Sequence, residues 1–205
     1  MQLACLDLEG VLVPEIWIAV AEHTGIPELR LTTRDIADYD ELMRHRLRVL
    51  AAHDLRLPDI QAVIATLSPL PGAREFIDWL RERYQVIILS DTFYQFADPL
   101  MVQLGRPTLF CHRLQVADDG TITDYRLRLP DQKRQAIKAL QSLNFACIAA
   151  GDSYNDTSML AQADVGILFN APQRVIDEFP QFPVATSYDQ LRAAFTKASS
   201  LVTTK

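Results

Sequence analysis

The sequence predicts an α/β fold: a parallel sheet with helices on both faces, and a small helical insertion after the first strand. Three observations predict it. The strand-like segments 3–8, 86–89, 146–150 and 165–168, apolar apart from Asp7, are four to six residues long, the length of buried strands rather than helices. Longer stretches of helical period separate most of them, and a strand–helix–strand rhythm closes most readily as a parallel sheet. Segment 14–70 carries three helical patterns and no convincing strand, so it is expected to stand outside the sheet. The expected division is therefore 1–13 with 71–205 as the core, and 14–70 as the insertion.

The elements follow in order along the chain. Leu3 to Leu8 reads as a strand running into Asp7, Glu9 and Gly10. Pro14 suits the first turn of a helix, which Ile16, Ile18, Ala19, Val20 and Ala21 continue to about Gly25. Helices are expected over Tyr39–His53 and Pro58–Leu67, and Leu70-Pro71-Gly72 punctuates the chain before another through Trp79 to Arg83. Val86–Leu89 is a buried strand ending at Ser90, followed by a helix over Tyr94–Leu104 and a short strand over Thr108–Cys111. Leu114 to Arg126 alternates around Asp119-Gly120, a hairpin signal. A helix over Asp131–Leu143 precedes strand Ala146–Ala150, which leads into Gly151-Asp152. A further helix, a strand over Val165–Leu168 and a helix over Tyr188–Ser199 complete the pattern.

Composition excludes several classes. Of 205 residues, 49% are hydrophobic, enough for a substantial core and too many for disorder. A formal net charge of -6 without a basic run argues against nucleic acid and anionic membranes as partners. No apolar run approaches the roughly 20 residues of a membrane span, and Asp7 comes too early for a signal peptide; a cytoplasmic location is expected. Cys5, Cys111 and Cys147 lack metal or redox spacing, and Cys5 and Cys147 lie in apolar runs as expected buried, inert thiols.

Ligands of open parallel sheets bind beyond the carboxyl ends of the strands. Three strands end there in polar groups: Asp7 with Glu9, Ser90, and Asp152 with Asp156. One acid after a strand is ordinary loop chemistry, whereas this set suits phosphoryl transfer. A carboxylate nucleophile meeting a phosphate ester needs a cation to screen repulsion, and oxygen ligands such as Asp7 and Asp152 suit Mg²⁺. Ser90 can donate to a phosphoryl oxygen and Lys133 can neutralise another, although taken alone Lys133 reads as a solvated helix-end lysine.

In order and spacing, Asp7-Leu8-Glu9-Gly10-Val11, Ser90, Lys133 and Gly151-Asp152-Ser153-Tyr154-Asn155-Asp156 resemble the four motifs of the haloacid dehalogenase-like superfamily. The insertion resembles the cap of its phosphoserine phosphatase branch. Residues 4–15 and Leu89-Ser90-Asp91-Thr92-Phe93 resemble the phosphoserine:homoserine phosphotransferases within that branch. The resemblance implies a Rossmann-like core and a set of roles. Asp7 attacks phosphorus to form an aspartyl-phosphate. Glu9 protonates the leaving oxygen, then activates the acceptor, and its main-chain carbonyl joins Asp7 and Asp152 around Mg²⁺. Asp156 orients that shell, Ser90 and Lys133 hold the phosphoryl group, and Asn155 reaches substrate or phosphate. Two positions depart from the wider superfamily. Glu9 replaces the usual aspartate, moving the carboxyl by roughly 1.5 Å, and Asp91-Thr92 replaces glycines. An acid at 91 beside the phosphate pocket would repel anions or recognise a substrate amine.

On the helix expected over 39–53, Leu42 and Leu50 lie within about 40° of Arg46 and Met43 and Val49 within about 60°, while Arg44 and Arg48 fall opposite. Arg46 is therefore on the apolar stripe. Two readings stay open: an arginine snorkelling to the helix edge, or a bidentate clamp for a substrate carboxylate. Glu15 alone reads as a helix-start acid; the resemblance makes it the ligand of a substrate ammonium. Together they would recognise a zwitterion, phosphoserine as donor, with water or homoserine as acceptor. Trp17, Met43 and Phe93 read as packing residues. The alternative is a phosphatase of the same superfamily for another small phosphomonoester. A homodimer is expected from the resemblance alone.

Overall fold

The computed structural model describes residues 1–32, 35–36 and 38–203; within the expected insertion, Thr33, Arg34 and Ala37 lie outside the described residues. The strands are β1 (Gln2–Leu6), β2 (Gln85–Phe93), β3 (Thr108–Val116), β4 (Ile122–Arg126), β5 (Ala146–Gly151), β6 (Val165–Phe169) and β7 (Val184–Ala185). They form one sheet in the order β4-β3-β2-β1-β5-β6-β7. Every pairing is parallel except the β3–β4 hairpin, which is antiparallel. The core of the sheet is therefore the parallel α/β arrangement expected.

Alternation along β1 separates two cores. Ala4 and Leu6 join one buried cluster and Leu3 and Cys5 the other, because successive side chains of a strand point to opposite faces. The first face is covered by α4 (Ala73–Arg81), α5 (Tyr94–Gln103) and α9 (Tyr188–Thr203), through Phe76, Phe96 and Phe195. The second is covered by α6 (Gln132–Ser142), α7 (Thr157–Gln162) and α8 (Gln173–Glu178), through Ile137, Met159 and Val175. Cys5, Cys111 and Cys147 are all buried and free. No helix among the described residues is long and apolar enough to cross a membrane.

Between β1 and α4 lie α1 (Ile16–Thr24), α2 (Tyr39–Ala52) and α3 (Leu57–Ile64). Their apolar faces, with Val20, Met43, Leu50, Ile60 and Val63, are continuous with the first cluster. The β3–β4 hairpin grips them at two places. At its tip, Leu57 N–H donates to Gly120 O at 2.9 Å. Along its strands, Arg44 pairs with Asp124 at 2.9 Å, and Tyr125 OH bonds Asp40.

Local differences from the sequence reading have physical reasons. β1 stops at Leu6 because the chain then turns tightly, with Leu12 and Val13 N–H both donating to Leu8 O. Pro14 lies before α1 instead of in its first turn: Glu15 is the N-cap, with extended backbone, and Ile16 begins the helix. β3 runs unbroken from Thr108 to Val116 into the hairpin. A 3-10 turn at Pro27–Arg30, the six-residue α8 and the two-residue β7 are too short to carry a period.

Two glycines separate strain from crowding. Gly25 ends α1 at φ 70° with nothing near its missing Cβ, whereas a Cβ on Gly151 would lie 2.4 Å from Asp156 Cβ. Gly25→Ala is expected to cost about 1 kcal/mol, the left-handed penalty. Gly151→Ala is expected to cost about 3 kcal/mol or more, because the buried neighbour cannot move aside. Urea denaturation of both variants checks the ranking, and equal costs would reject the crowding.

Candidate active site

Parallel pairing of β1 with β5 matches Leu6 to Ala150, so Asp7 and Gly151-Asp152 leave the sheet side by side. Asp7 N–H donates to Ala150 O at 3.0 Å. One carboxylate oxygen, Asp7 Oδ1, accepts from Leu8 N–H at 2.7 Å and pairs with Lys133 Nζ at 2.9 Å. Burial and then the neighbouring Asp156 and Asp152 push the Asp7 carboxyl well above its usual range, against the pull of Lys133.

Lys133 is buried, not solvated: its Nζ lies 2.9 Å from Asp7, 2.8 Å from Asp156 and 3.5 Å from Asp91. Burial opposes its charge, but these carboxylates outweigh burial and hold the ammonium well above its usual range. Asp156 is fully buried beneath the site. Its Oδ1 accepts from Lys133, and its Oδ2 accepts from Asp152 N–H at 2.9 Å and Ser153 N–H at 3.2 Å. Gly151 makes this possible by leaving room for Asp156, and Gly10, at φ 76°, does the same for Asp152, whose Oδ2 would lie 2.5 Å from an added Cβ.

Asp7, Asp152 and Asp156 offer oxygens within 4.8 Å of one another. An all-oxygen set of this kind fits Mg²⁺. With both Asp156 oxygens engaged by protein donors, Asp7 and Asp152 are the residues suited to hold the ion and Asp156 to orient them.

The end of β2 brings Ser90 and Asp91 against this cluster. Ser90 is buried, and its Oγ accepts from Thr92 N–H at 3.3 Å. Asp91 is tied to protein donors: Asn155 Nδ2 at 3.0 Å, Gln132 Nε2 at 3.4 Å, the ammonium of Lys133 at 3.5 Å and the ring Nε2 of His112 at 3.5 Å. Burial raises its pKa, but Lys133, His112 and Asn155 prevail and hold it well below the usual carboxylate range. Asp91 is thus an anion already paired with protein donors, which the sequence alone did not reveal.

Glu9 reaches the other way. Its Oε2 accepts Ile16 N–H at 2.8 Å, filling one of the open donors at the start of α1. Burial and then Glu15 push its carboxyl up to about 7, opposed by the Ile16 bond, Arg46 and Thr92. Arg46 is buried and does not snorkel. Its guanidinium lies 4.6 Å from the Trp17 ring centroid, Nη2 donates to Leu31 O at 2.9 Å, and Nε has no hydrogen-bond partner among the described residues. Burial lowers its pKa to about 10, against Tyr39, Glu9 and Glu15.

One cavity of ≈ 790 Å³ joins these groups: Asp7, Glu9, Glu15, Arg46, Ser90, Asp91, Lys133, Asp152 and Asn155 all line it, with Asp156 under its floor. Trp17, Met43 and Phe93 pack in the core as expected, and Trp17 also forms part of the wall. Thr92, part of the motif that departs from glycines, lines it as well, as do Tyr39, His112 and Gln132, which had no signal in the sequence. A lone histidine or glutamine in an element announces no partner until the fold supplies one.

Residues 1–164 match the family model for haloacid dehalogenase-like hydrolases. The chain belongs to this family. It is 64% identical over 200 residues to the phosphoserine phosphatase ThrH of Pseudomonas aeruginosa, covering 98% of each chain. Identity is also 64% to a phosphoserine phosphatase of Pseudomonas syringae pv. tomato, over 98% of this chain and 84% of the relative. A crystal structure of a phosphoserine phosphatase in apo form superposes with TM-score 0.73 at 25% identity, over 86% of this chain and 90% of that one.

The buried Glu9 ties stability to pH in the metal-free protein. Its carboxyl titrates near 4.5 when unfolded and near 7 when folded, so folding favours the protonated form. The contribution is fully present below 4.5 and is lost as pH rises through 7. Glu9→Gln, which cannot ionise, is expected to flatten that fall in urea titrations run in chelator. A slope unchanged by the substitution would assign the effect to another group.

Proposed function

We propose that this hydrolase is a Mg²⁺-dependent phosphoserine phosphatase that works through an aspartyl-phosphate on Asp7 and also passes the phosphoryl group to homoserine. The observation that carries the reading is one cavity lined by two complementary sets. Asp7, Ser90, Lys133 and Asp152 suit a phosphoryl group, and Glu15 with the buried Arg46 suits an ammonium and a carboxylate. Phosphoserine presents all three. The similarity to phosphoserine phosphatases supports the same substrate.

Each group has a defined task in this reading. Arg46, its guanidinium spread over Trp17, receives the carboxylate, and Glu15 receives the ammonium. The ester is thereby oriented with phosphorus toward Asp7, so that orientation is paid before reaction. Asp7 attacks phosphorus, the P–O bond to serine breaks, and Glu9 gives its proton to the departing oxygen. A carboxyl raised to about 7 still holds a proton near neutrality. Glu9 then takes a proton from water or from the homoserine hydroxyl, which attacks the aspartyl-phosphate and restores Asp7. Ser90, Lys133 and Asn155 hold the phosphoryl oxygens. Mg²⁺, when bound by Asp7, Asp152 and the Glu9 carbonyl, screens the charge that builds up between nucleophile and phosphate.

Residues 14–70 act as the cap and 1–13 with 71–205 as the catalytic core: α1 and α2 supply Glu15, Trp17, Tyr39, Leu42 and Arg46 to the cavity, and the strand ends supply the phosphoryl set. A cytoplasmic location is proposed from the sequence, and a homodimer from the family resemblance alone.

Phosphate release from a panel of phosphoserine, sugar phosphates, nucleotides and an aryl phosphate, with Mg²⁺ or chelator, tests the reading. Phosphoserine is expected to be preferred, chelator to stop release, and labelled phosphoserine with excess homoserine to yield phosphohomoserine. Asp7→Asn is expected to abolish turnover, since an amide cannot replace the carboxylate nucleophile. Label still trapped covalently on Asp7→Asn would remove Asp7 from that role, and preference for another ester would favour the alternative substrate class.

Arg46→Ala is expected to cost about 2–5 kcal/mol in kcat/KM on phosphoserine, the loss on truncating one partner of a buried charge pair. An aryl phosphate, which has no carboxylate to present, is expected to lose far less. Equal losses on both substrates would make Arg46 structural.

A further inference from the structure

A phosphoryl group held by Ser90, Lys133 and Asn155, as in the proposed reaction, needs those donors to be held still. Asp91 touches two of them through a single oxygen: Oδ2 lies 3.0 Å from Asn155 Nδ2 and 3.5 Å from Lys133 Nζ. Its other oxygen, Oδ1, faces His112 Nε2 at 3.5 Å and Gln132 Nε2 at 3.4 Å. The carboxylate plane is therefore fixed from one side so that its opposite corner can hold the two donors.

His112 is built for that task. It is 3% exposed on β3, and its Nδ1 accepts the main-chain N–H of Arg128 at 3.1 Å. An accepting Nδ1 carries a lone pair, which leaves the ring proton on Nε2, pointed at Asp91. Tyr39 and Phe93 flank the ring at centroid distances of 6.1 and 6.3 Å, and Tyr39 OH donates to the Asp91 carbonyl at 2.9 Å. Gln132 Nε2 is shared, since it also donates to Ser90 O at 2.7 Å. The imidazole is thus the donor directed to Asp91 Oδ1 alone.

Resting on the phosphatase reading, we infer that His112 is a positioning residue for the phosphoryl group, acting through Asp91 on Lys133 and Asn155. The ammonium of Lys133 has its longest carboxylate contact with Asp91, so that is the contact a phosphoryl oxygen displaces at least cost. Asp91 then stays satisfied by His112, Gln132 and Asn155 and does not have to follow Lys133 or repel the incoming anion. Without the imidazole, Oδ1 keeps only the donor that Gln132 shares with Ser90 O, and the carboxylate is free to turn and take Asn155 with it.

Two substitutions divide the histidine's functions. In His112→Gln the amide nitrogen falls near the position of Nε2 and can donate to Asp91. In His112→Asn the side chain reaches only as far as Nδ1, so it can accept from Arg128 N–H but cannot reach Asp91. With Mg²⁺, kcat/KM is measured on phosphoserine and on an aryl phosphate, together with competitive inhibition by inorganic phosphate. His112→Asn is expected to lose about tenfold or more on both esters, the worth of a hydrogen bond to a charged group, and to bind inorganic phosphate more weakly by a similar factor. His112→Gln is expected to recover most of each loss. Urea midpoints for the two variants show whether both fold. Equal losses in Asn and Gln variants, or no loss in the Asn variant, would overturn the inference. So would a loss confined to phosphoserine, which would place His112 with the amino-acid end. A parent enzyme active on the aryl ester but inactive on phosphoserine would sink the substrate assignment, while the aryl and phosphate measurements would still decide the role of His112.

Discussion

The ammonium of Lys133 is the charge on which the rest of the site depends. Asp7, Asp156 and Asp91 converge on it from three separate parts of the chain. Burying such a group of carboxylates without a cation costs several kcal/mol for each charge, and the fold would relieve that by protonation or by opening. The first turn of α6 solves this by placing one lysine where all three can share it. One ammonium among three carboxylates is an incomplete neutralisation, and an all-oxygen cluster of this kind suits a divalent cation. In the proposed reaction, a carboxylate nucleophile at Asp7 is useful only with compensating cations around the phosphate it attacks.

Glu9 connects that charge cluster to the insertion. Its side chain leaves the loop after β1 and closes the start of α1, beside Glu15 and within the field of Arg46. A shorter aspartate at this position would not extend as far toward Ile16. The extra methylene therefore joins the strand-end half of the cavity to the helical half, and it puts a titratable group between them. The continuous apolar cluster under α1–α3 and the grip of the β3–β4 hairpin on α2 and α3 hold the helical half in register with the strand ends. Glu15 and Arg46 are consequently presented at a fixed distance from Asp7.

Most of the fold and the motif residues were legible along the chain. Strand–helix alternation and short β-branched runs such as Val86–Leu89 encode the parallel sheet because burial on both faces demands continuous apolar strands. The acids and Ser90 at the strand ends encode a site because the topology has only one edge where strand ends meet. Arg46 was legible as misplaced on an apolar stripe, although the choice between snorkelling and inward burial was not. Short elements such as β7 and α8 escaped because two to six residues carry too little period.

The sequence by itself determined which chemistry is present: carboxylates, a serine and a lysine at strand ends, and an arginine within an apolar face, in the order of a known family. Tertiary structure alone decided how those charges are shared. Lys133 could have been a solvated helix end, and Asp91 a free acid facing substrate. Long-range packing instead buried the lysine and surrounded Asp91 with Asn155, Gln132 and His112, residues separated from it by 21 to 64 positions. Hydrogen bonding and Coulomb interaction at this range depend on three-dimensional distance and on the exclusion of water. Neither quantity exists until the strands are paired and the helices packed.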